Sequence, residues 1–270
     1  MLASIILLTV SVLIFLDSMG SKRIRTGVIH RAKSGFAKSL EEESQVLEKE
    51  EALPKVLQQY LENTGTLPGL AGQNIRLKFK GAKRRIKGKR WIPLEAKYFL
   101  SRASLQMDFY QDATLGFLCS KKTVSHWSQE QRSYTEHLFS LISKSGEKTA
   151  PAAGLLLWAG LPWLAEAYLS SSVKWTESSK NQANFQFDLG AKTLYGSCIF
   201  GKDTYLKTLV LSLKEGRESE GLVINYQDYK SFENRIVPFA FQLTQNCGKS
   251  AWEYQFEVTD IIENEPFAWW

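Results

Sequence analysis

Hydrophobic and polar positions change period several times along this chain, and each change marks an element. Leu2 to Leu16 is mostly apolar and carries no charge until Asp17. At about 1.5 Å per residue such a run is short for a membrane crossing, and extending it to Gly20 makes it marginal. Leu53, Val56, Leu57, Tyr60 and Leu61 recur at helical spacing, with Pro54 in the first turn and Asn63-Thr64-Gly65 as the stop. From Gln73 the period becomes two: Ile75, Leu77 and Phe79 alternate with Arg76, Lys78 and Lys80, a strand with one apolar and one cationic face. Lys87-Gly88 marks a hairpin turn, and Pro93 predicts that the strand opening at Arg90-Trp91-Ile92 is bulged or lies at an edge.

Further strands are predicted at Ser104–Tyr110 and Thr114–Cys119, then less regularly over Val124–Ile142. After a central apolar segment come Val173–Thr176, Ala183–Asp188, Thr193–Phe200, Tyr205–Leu213, Leu222–Tyr226, Ile236–Leu243 and Trp252–Ile262. Short turns separate most of them, which predicts antiparallel pairing. The central segment, Ala152 to Leu169, carries Glu166 as its only charge. Gly160-Leu161-Pro162 breaks it, and a membrane span here would divide one sheet between two compartments. It reads as two short buried helices.

Composition and charge narrow the class. An apolar fraction of 44% in 270 residues is enough for a real core and excludes a disordered chain. Cys119, Cys198 and Cys247 are too few and scattered for a disulfide scaffold or a zinc cage. The net charge of +6 is local: eleven Lys and Arg stand between Gln73 and Arg102 against Glu95 alone. A global nucleic-acid binder spreads its charge differently, so nucleic acid is disfavoured as a partner. Plain solvation is the ordinary state of such a charge run, and an anionic lipid surface is the functional alternative, with Lys83, Arg84, Arg85 and Lys87 as its contact residues.

Lys22, Arg23, Arg25, Arg31 and Lys33 follow the first apolar run at once. Residues 1–20 therefore read as an uncleaved membrane anchor, with a signal cleaved near Ser18-Met19-Gly20 as the alternative. Residues 21–51 form a basic, then acidic spacer whose Ser39–Glu51 stretch favours helix, residues 52–264 an α+β domain, and residues 265–270 an aromatic tail.

No glycine-rich phosphate loop, HExxH, CxxC or G-x-S-x-G occurs, so no catalytic residue, metal site or cofactor is assigned, and the balance is against an enzyme. Ser171–Lys174 is a lone S-x-x-K of the kind chance supplies. His126 and His137 lie in polar stretches and read as surface residues; Asp228 and Glu233 read as turn residues. The aromatics concentrate on the first sheet half and the central helices. They serve either as core packing or as the lining of an apolar cavity.

Leu53-Pro54, Gln59-Tyr60-Leu61, Ile75-Arg76-Leu77, Trp91-Ile92-Pro93 and Tyr98-Phe99 resemble an uncharacterised bacterial family whose members join one membrane helix to a β-rich domain. Trp163, Trp175-Thr176-Glu177, Asp228-Tyr229 and Ile236-Val237-Pro238 continue the likeness over roughly residues 50–264. The layout is similar to lipoprotein carriers of the LolA type. That resemblance implies a strongly curved antiparallel half-barrel with helices on its concave face, and a lipid or hydrophobic small molecule held between them. Trp91, Phe99, Trp158, Trp163 and Trp175 are then the expected lining. A carrier implies an extracytoplasmic body, whereas the positive residues after the anchor place it in the cytoplasm. Protein partners are not indicated.

Overall fold

The computed structural model describes residues 11, 15, 17–24, 26–28, 30, 53–66, 74–101, 106–114, 120–128, 132–138, 142–145, 150–169, 173–189, 192–213, 220–247 and 250–264. Most of the expected anchor, the acidic spacer and the aromatic tail lie outside these residues. Among them no helix is long and apolar enough to cross a membrane.

Helix α1 (Lys55–Asn63) leads into β1 (Asn74–Arg85), β2 (Ile92–Ser101), β3 (Gln106–Thr114), β4 (Ser120–Trp127), β5 (Arg132–Leu138) and β6 (Ile142–Ser145). Helix α2 (Ala150–Trp158) and a 3-10 turn (Ala165–Tyr168) interrupt the strands. They resume as β7 (Val173–Ser179), β8 (Gln182–Asp188), β9 (Thr193–Phe200), β10 (Leu206–Ser212), β11 (Glu220–Phe232), β12 (Arg235–Cys247) and β13 (Ser250–Glu263). All pair antiparallel in one sheet, ordered β6-β5-β4-β3-β2-β1-β13-β12-β11-β10-β9-β8-β7. Among the described residues the β6 and β7 edges do not pair with each other, so the sheet is open.

Its curvature follows from a nine-residue helix. Gly154 of α2 sits against both Trp127 of β4 and Leu189, just after β8, each 3.1 Å from where a Cβ would stand. Those strands are nine positions apart in the sheet, about 43 Å if it were flat. The helix itself is about 13 Å long, so the sheet wraps around it. The α+β reading as a strongly curved antiparallel half-barrel with helices on its concave face therefore describes the body.

Alternation explains β1 as expected. Ile75, Leu77 and Phe79 point inward, and Arg76, Lys78 and Lys80 take the other parity. Helix α1 buries Val56, Leu57, Tyr60 and Leu61 and starts at Pro54 as its N-cap. The Ile236 amide donates to the Thr64 carbonyl at 2.9 Å, which ties the end of α1 to β12. The central segment does form two short helical pieces.

Several expectations need correction. Strand β2 lies between β1 and β3, so Pro93 does not mark an edge. It is tolerated because it pairs only with Ala82; the β3 ladder begins one residue later, at Leu94, and needs no Pro93 N–H. Of the expected Thr114–Cys119 strand only Thr114, the last residue of β3, is among the described residues. Strand β11 continues well past Tyr226, because the ladder with β12 skips Asp228, which has φ 54°, and resumes at Tyr229. Glu233 does occupy a turn, with φ 50°.

Candidate functional site

Strands β1–β3 and β8–β13 each contribute the inward half of their alternating residues to one apolar surface. Helix α2 covers that surface and is apolar on every side, as a helix surrounded by core must be. Its Trp158 stacks on Phe185 with ring centroids 3.9 Å apart and meets Tyr168 at 4.7 Å and Phe187 at 5.6 Å. Phe185 can lie flat because its partner across the ladder is Gly196; a Cβ there would overlap the ring. Trp163 meets Phe241, Tyr226 and Phe79 edge-on at 5.6, 5.9 and 6.2 Å.

A helix that ends inside an apolar shell leaves carbonyls without partners unless side chains supply donors. Tyrosines do so here. The Tyr98 hydroxyl donates to the Leu157 carbonyl at 2.7 Å, Tyr168 donates to the same oxygen, and Tyr226 donates to the Ala159 carbonyl at 2.9 Å. Burial pushes all three phenols well above their ordinary value, so they remain protonated donors. The Trp163 indole N–H donates to the Pro238 carbonyl at 3.1 Å, and Arg235 donates to the Trp163 carbonyl at 2.9 Å while pairing with Glu263.

Between this segment and the sheet lies a gap of about 10 Å³, lined by Phe79, Tyr98, Leu156, Gly160, Trp163 and Phe241 among others. That is close to the least space a single water needs. The Trp158 indole N–H and the Tyr60 hydroxyl are among the buried donors with no hydrogen-bond partner among the described residues.

The five expected lining residues divide. Trp158 and Trp163 are on the covering segment, and Trp175 packs beside them at 4.9 Å from Phe185 with its N–H on the Tyr168 carbonyl. Phe99 is buried, but register puts it opposite Arg76 and Asp108 on the outer face, while Tyr98 and Leu100 point inward. Trp91 lies at the β1–β2 hairpin under the Arg84 guanidinium, 4.5 Å from its ring. Phe79, Phe185, Phe241 and the three tyrosines are among the inward aromatics that the sequence reading did not assign to the lining. Alternation along β1, β8 and β12 was the signal for the three phenylalanines.

The cationic set also divides. Lys83 is buried on the inner face, where it shares parity with Phe79 and its ammonium lies 5.6 Å from the Trp252 ring. Arg84 is held by Glu253, with its Nε and Nη2 each 2.8 Å from Oε2. Arg85 and Lys87 are exposed, together with Lys89, Arg90 and Ile86 at the turn.

Among the described residues the outer face carries two sizeable concavities. One, of about 440 Å³, lies over β8–β11 and is walled by Asn184, Tyr195, Ser197, Val210 and Val223. The other, of about 1070 Å³, lies between the helical residues 17–26 and β1–β4. Beneath this N-terminal segment, Ile24 and Val28 pack on Tyr110 and Val124, and Lys122 reaches both Asp17 carboxylate oxygens at 3.1 Å. His126, expected at the surface, is buried with its Nδ1 3.0 Å from Asp108. Cys198 is buried, and burial pushes its thiol well above the usual range, consistent with a packing role.

The geometry defines a class: an open antiparallel half-barrel whose concave face is covered by its own helices. The chain belongs to a family of unknown function, DUF6544, whose sequence profile matches residues 44–256. Among curated proteins none matches it. It is similar in structure to a DUF1329 family protein from Desulfovibrio piger, at 7% identity and a TM-score of 0.42, covering 79% of this chain and 92% of that one. A putative outer membrane lipoprotein-sorting protein domain from Vibrio parahaemolyticus gives 8% identity and 0.40, with 78% and 92% covered. A LolA superfamily protein from Nitrosomonas europaea gives 11% and 0.37, with 77% and 94% covered.

Proposed function

We propose that this chain is a non-enzymatic binding protein for a lipid or other hydrophobic ligand, taken up on the concave face of the half-barrel. In this reading Ala150–Tyr168 is a plug, and an acyl chain enters by displacing it. One observation carries the proposal: a large ring-lined concave surface is covered by a segment that is apolar on every side, the chemical character of the ligand itself. The buried Trp158 donor without an acceptor supports it, because an unmatched donor costs about 1–3 kcal/mol and weakens the plugged arrangement.

A second reading is a scaffold protein with a permanently filled core. The gap of only about 10 Å³ favours it. The two readings predict opposite effects of loosening the plug. Tyr226→Phe removes the donor to the Ala159 carbonyl and destabilises the segment by about 1 kcal/mol. If binding requires the unplugged state, apparent affinity for a fluorescent acyl probe rises with its population, about fivefold for this change. The measurement is a titration of wild-type and variant chains with the probe, alongside native mass spectrometry for co-purified lipid. Tighter binding in the variant supports the carrier. Absence of binding in both, with no lipid retained, assigns the interior to a filled core.

A further inference from the structure

We infer that the tip of the β1–β2 hairpin is a docking surface for an anionic lipid bilayer. Four cations, Arg85, Lys87, Lys89 and Arg90, are exposed around it, and residues 83–91 contain no acidic side chain. Ile86 stands among those cations and is 47% exposed. Trp91 and Trp252 lie half-buried at the base, their rings engaged by Arg84 at 4.5 Å and by Arg85 at 5.6 Å. The Ile86 amide donates to the Ala251 carbonyl at 3.1 Å, fixing the tip to β13. An apolar apex, a cationic collar and tryptophans behind it match the layers of a bilayer surface: acyl region, anionic headgroups and interface. A nucleic acid would use the cations but has nothing to offer Ile86.

The position of the N-terminal segment is independent support. The C-terminal end of β1 is the same end of the sheet as the N-terminal end of β4, by the antiparallel register through β2 and β3. Asp17, where the apolar run Leu2–Leu16 stops, is held at that end by Ser120 and Lys122. Among the described residues four large apolar side chains are exposed: Phe15, Met19, Ile86 and Ile199. Phe15 and Met19 flank Asp17, so three of the four belong to this end. Asp17, with Phe15 and Met19 beside it, and the basic tip therefore lie at one end of the sheet, and the tip orients the half-barrel on the bilayer. This inference does not rest on the carrier reading.

The test uses the full chain with Ile86→Cys carrying an environment-sensitive fluorophore, and the parent chain labelled in parallel to account for the native cysteines. It is mixed with phosphatidylcholine vesicles, with and without phosphatidylglycerol, at low and high salt. The expected result is a blue shift, and quenching by spin-labelled lipid, only with phosphatidylglycerol and only at low salt, since charge attraction is screened beyond a Debye length. Each of Arg85, Lys87, Lys89 and Arg90 changed to Gln should weaken the response about fivefold. A chain that floats with both kinds of vesicle while the fluorophore spectrum stays unchanged overturns the inference. So does a response to a single-stranded oligonucleotide that vesicles fail to produce.

Discussion

The concave face under α2 and the outer face of β3–β4 are buried by opposite means. Inside, ring stacks on ring, and the polar groups are chiefly helix carbonyls met by Tyr98, Tyr168 and Tyr226. Outside, ionisable groups are buried against one another: Asp108 and His126 face each other, Gln106 donates to an Asp108 side-chain oxygen at 3.2 Å, and Lys122 bridges to Asp17 and Asp112. Apolar packing depends on volume and shape more than on the identity of each partner. A buried charged pair depends on partner identity, because one member alone is costly while an apolar pair of similar size can be neutral. The inner face is therefore the one suited to exchange its covering segment, and the outer face is suited to hold strand order fixed.

Removing volume inside should have the largest effect. Trp158→Ala deletes the ring stacked on Phe185 and should lower unfolding stability by about 3–5 kcal/mol in a denaturant titration. A loss below about 1 kcal/mol would mean that α2 is not part of the core. On the outer face Asp108→Ala should cost about 1–3 kcal/mol, because His126 and Gln106 lose their acceptor. The double variant Asp108→Leu with His126→Leu should recover most of that loss. If it is instead worse than the single variant, the pair stabilises by more than mutual satisfaction and the contrast between faces fails.

The smallest effect concerns pH. An unfolded phenol ionises near pH 10, whereas Tyr98, Tyr168 and Tyr226 stay protonated when folded because burial raises them well above that value. The unfolded chain then binds fewer protons than the folded one, so stability falls as pH rises. By pH 10 each phenol should have cost about 0.4 kcal/mol relative to pH 8. Tyr226→Phe should remove one such share, which stability measurements at the two pH values would read. Equal pH dependence in variant and parent would mean that this phenol is solvated.

How much of this was legible in the sequence depended on which physical signal each residue carried. Alternation in Ile75–Lys80 disclosed a two-faced strand, and Gly160-Leu161-Pro162 disclosed that the central apolar segment breaks in two. Both signals are local. Phe99 was misplaced because a strand's parity says which residues share a face, not which aromatic of an adjacent pair points inward; the neighbours Arg76 and Asp108 decide that. Lys83 could have been found, since it continues the parity of Phe79 through Gly81 and so leaves the cationic face. The buried position of His126 was not legible at all, for its partner Asp108 is set by the β3–β4 register. Likewise Trp252 joins the basic tip only through pairing across β13.

The central claim is that Ala150–Tyr168 leaves the concave face when a hydrophobic ligand occupies it. Hydrogen exchange of the full chain, with and without saturating oleic acid, addresses this directly. The account predicts faster exchange of the Leu155–Leu164 amides with the fatty acid present, while the β1 and β12 amides behind them remain as protected as before. Slower or unchanged exchange in that segment, with the fatty acid demonstrably bound, would contradict the account.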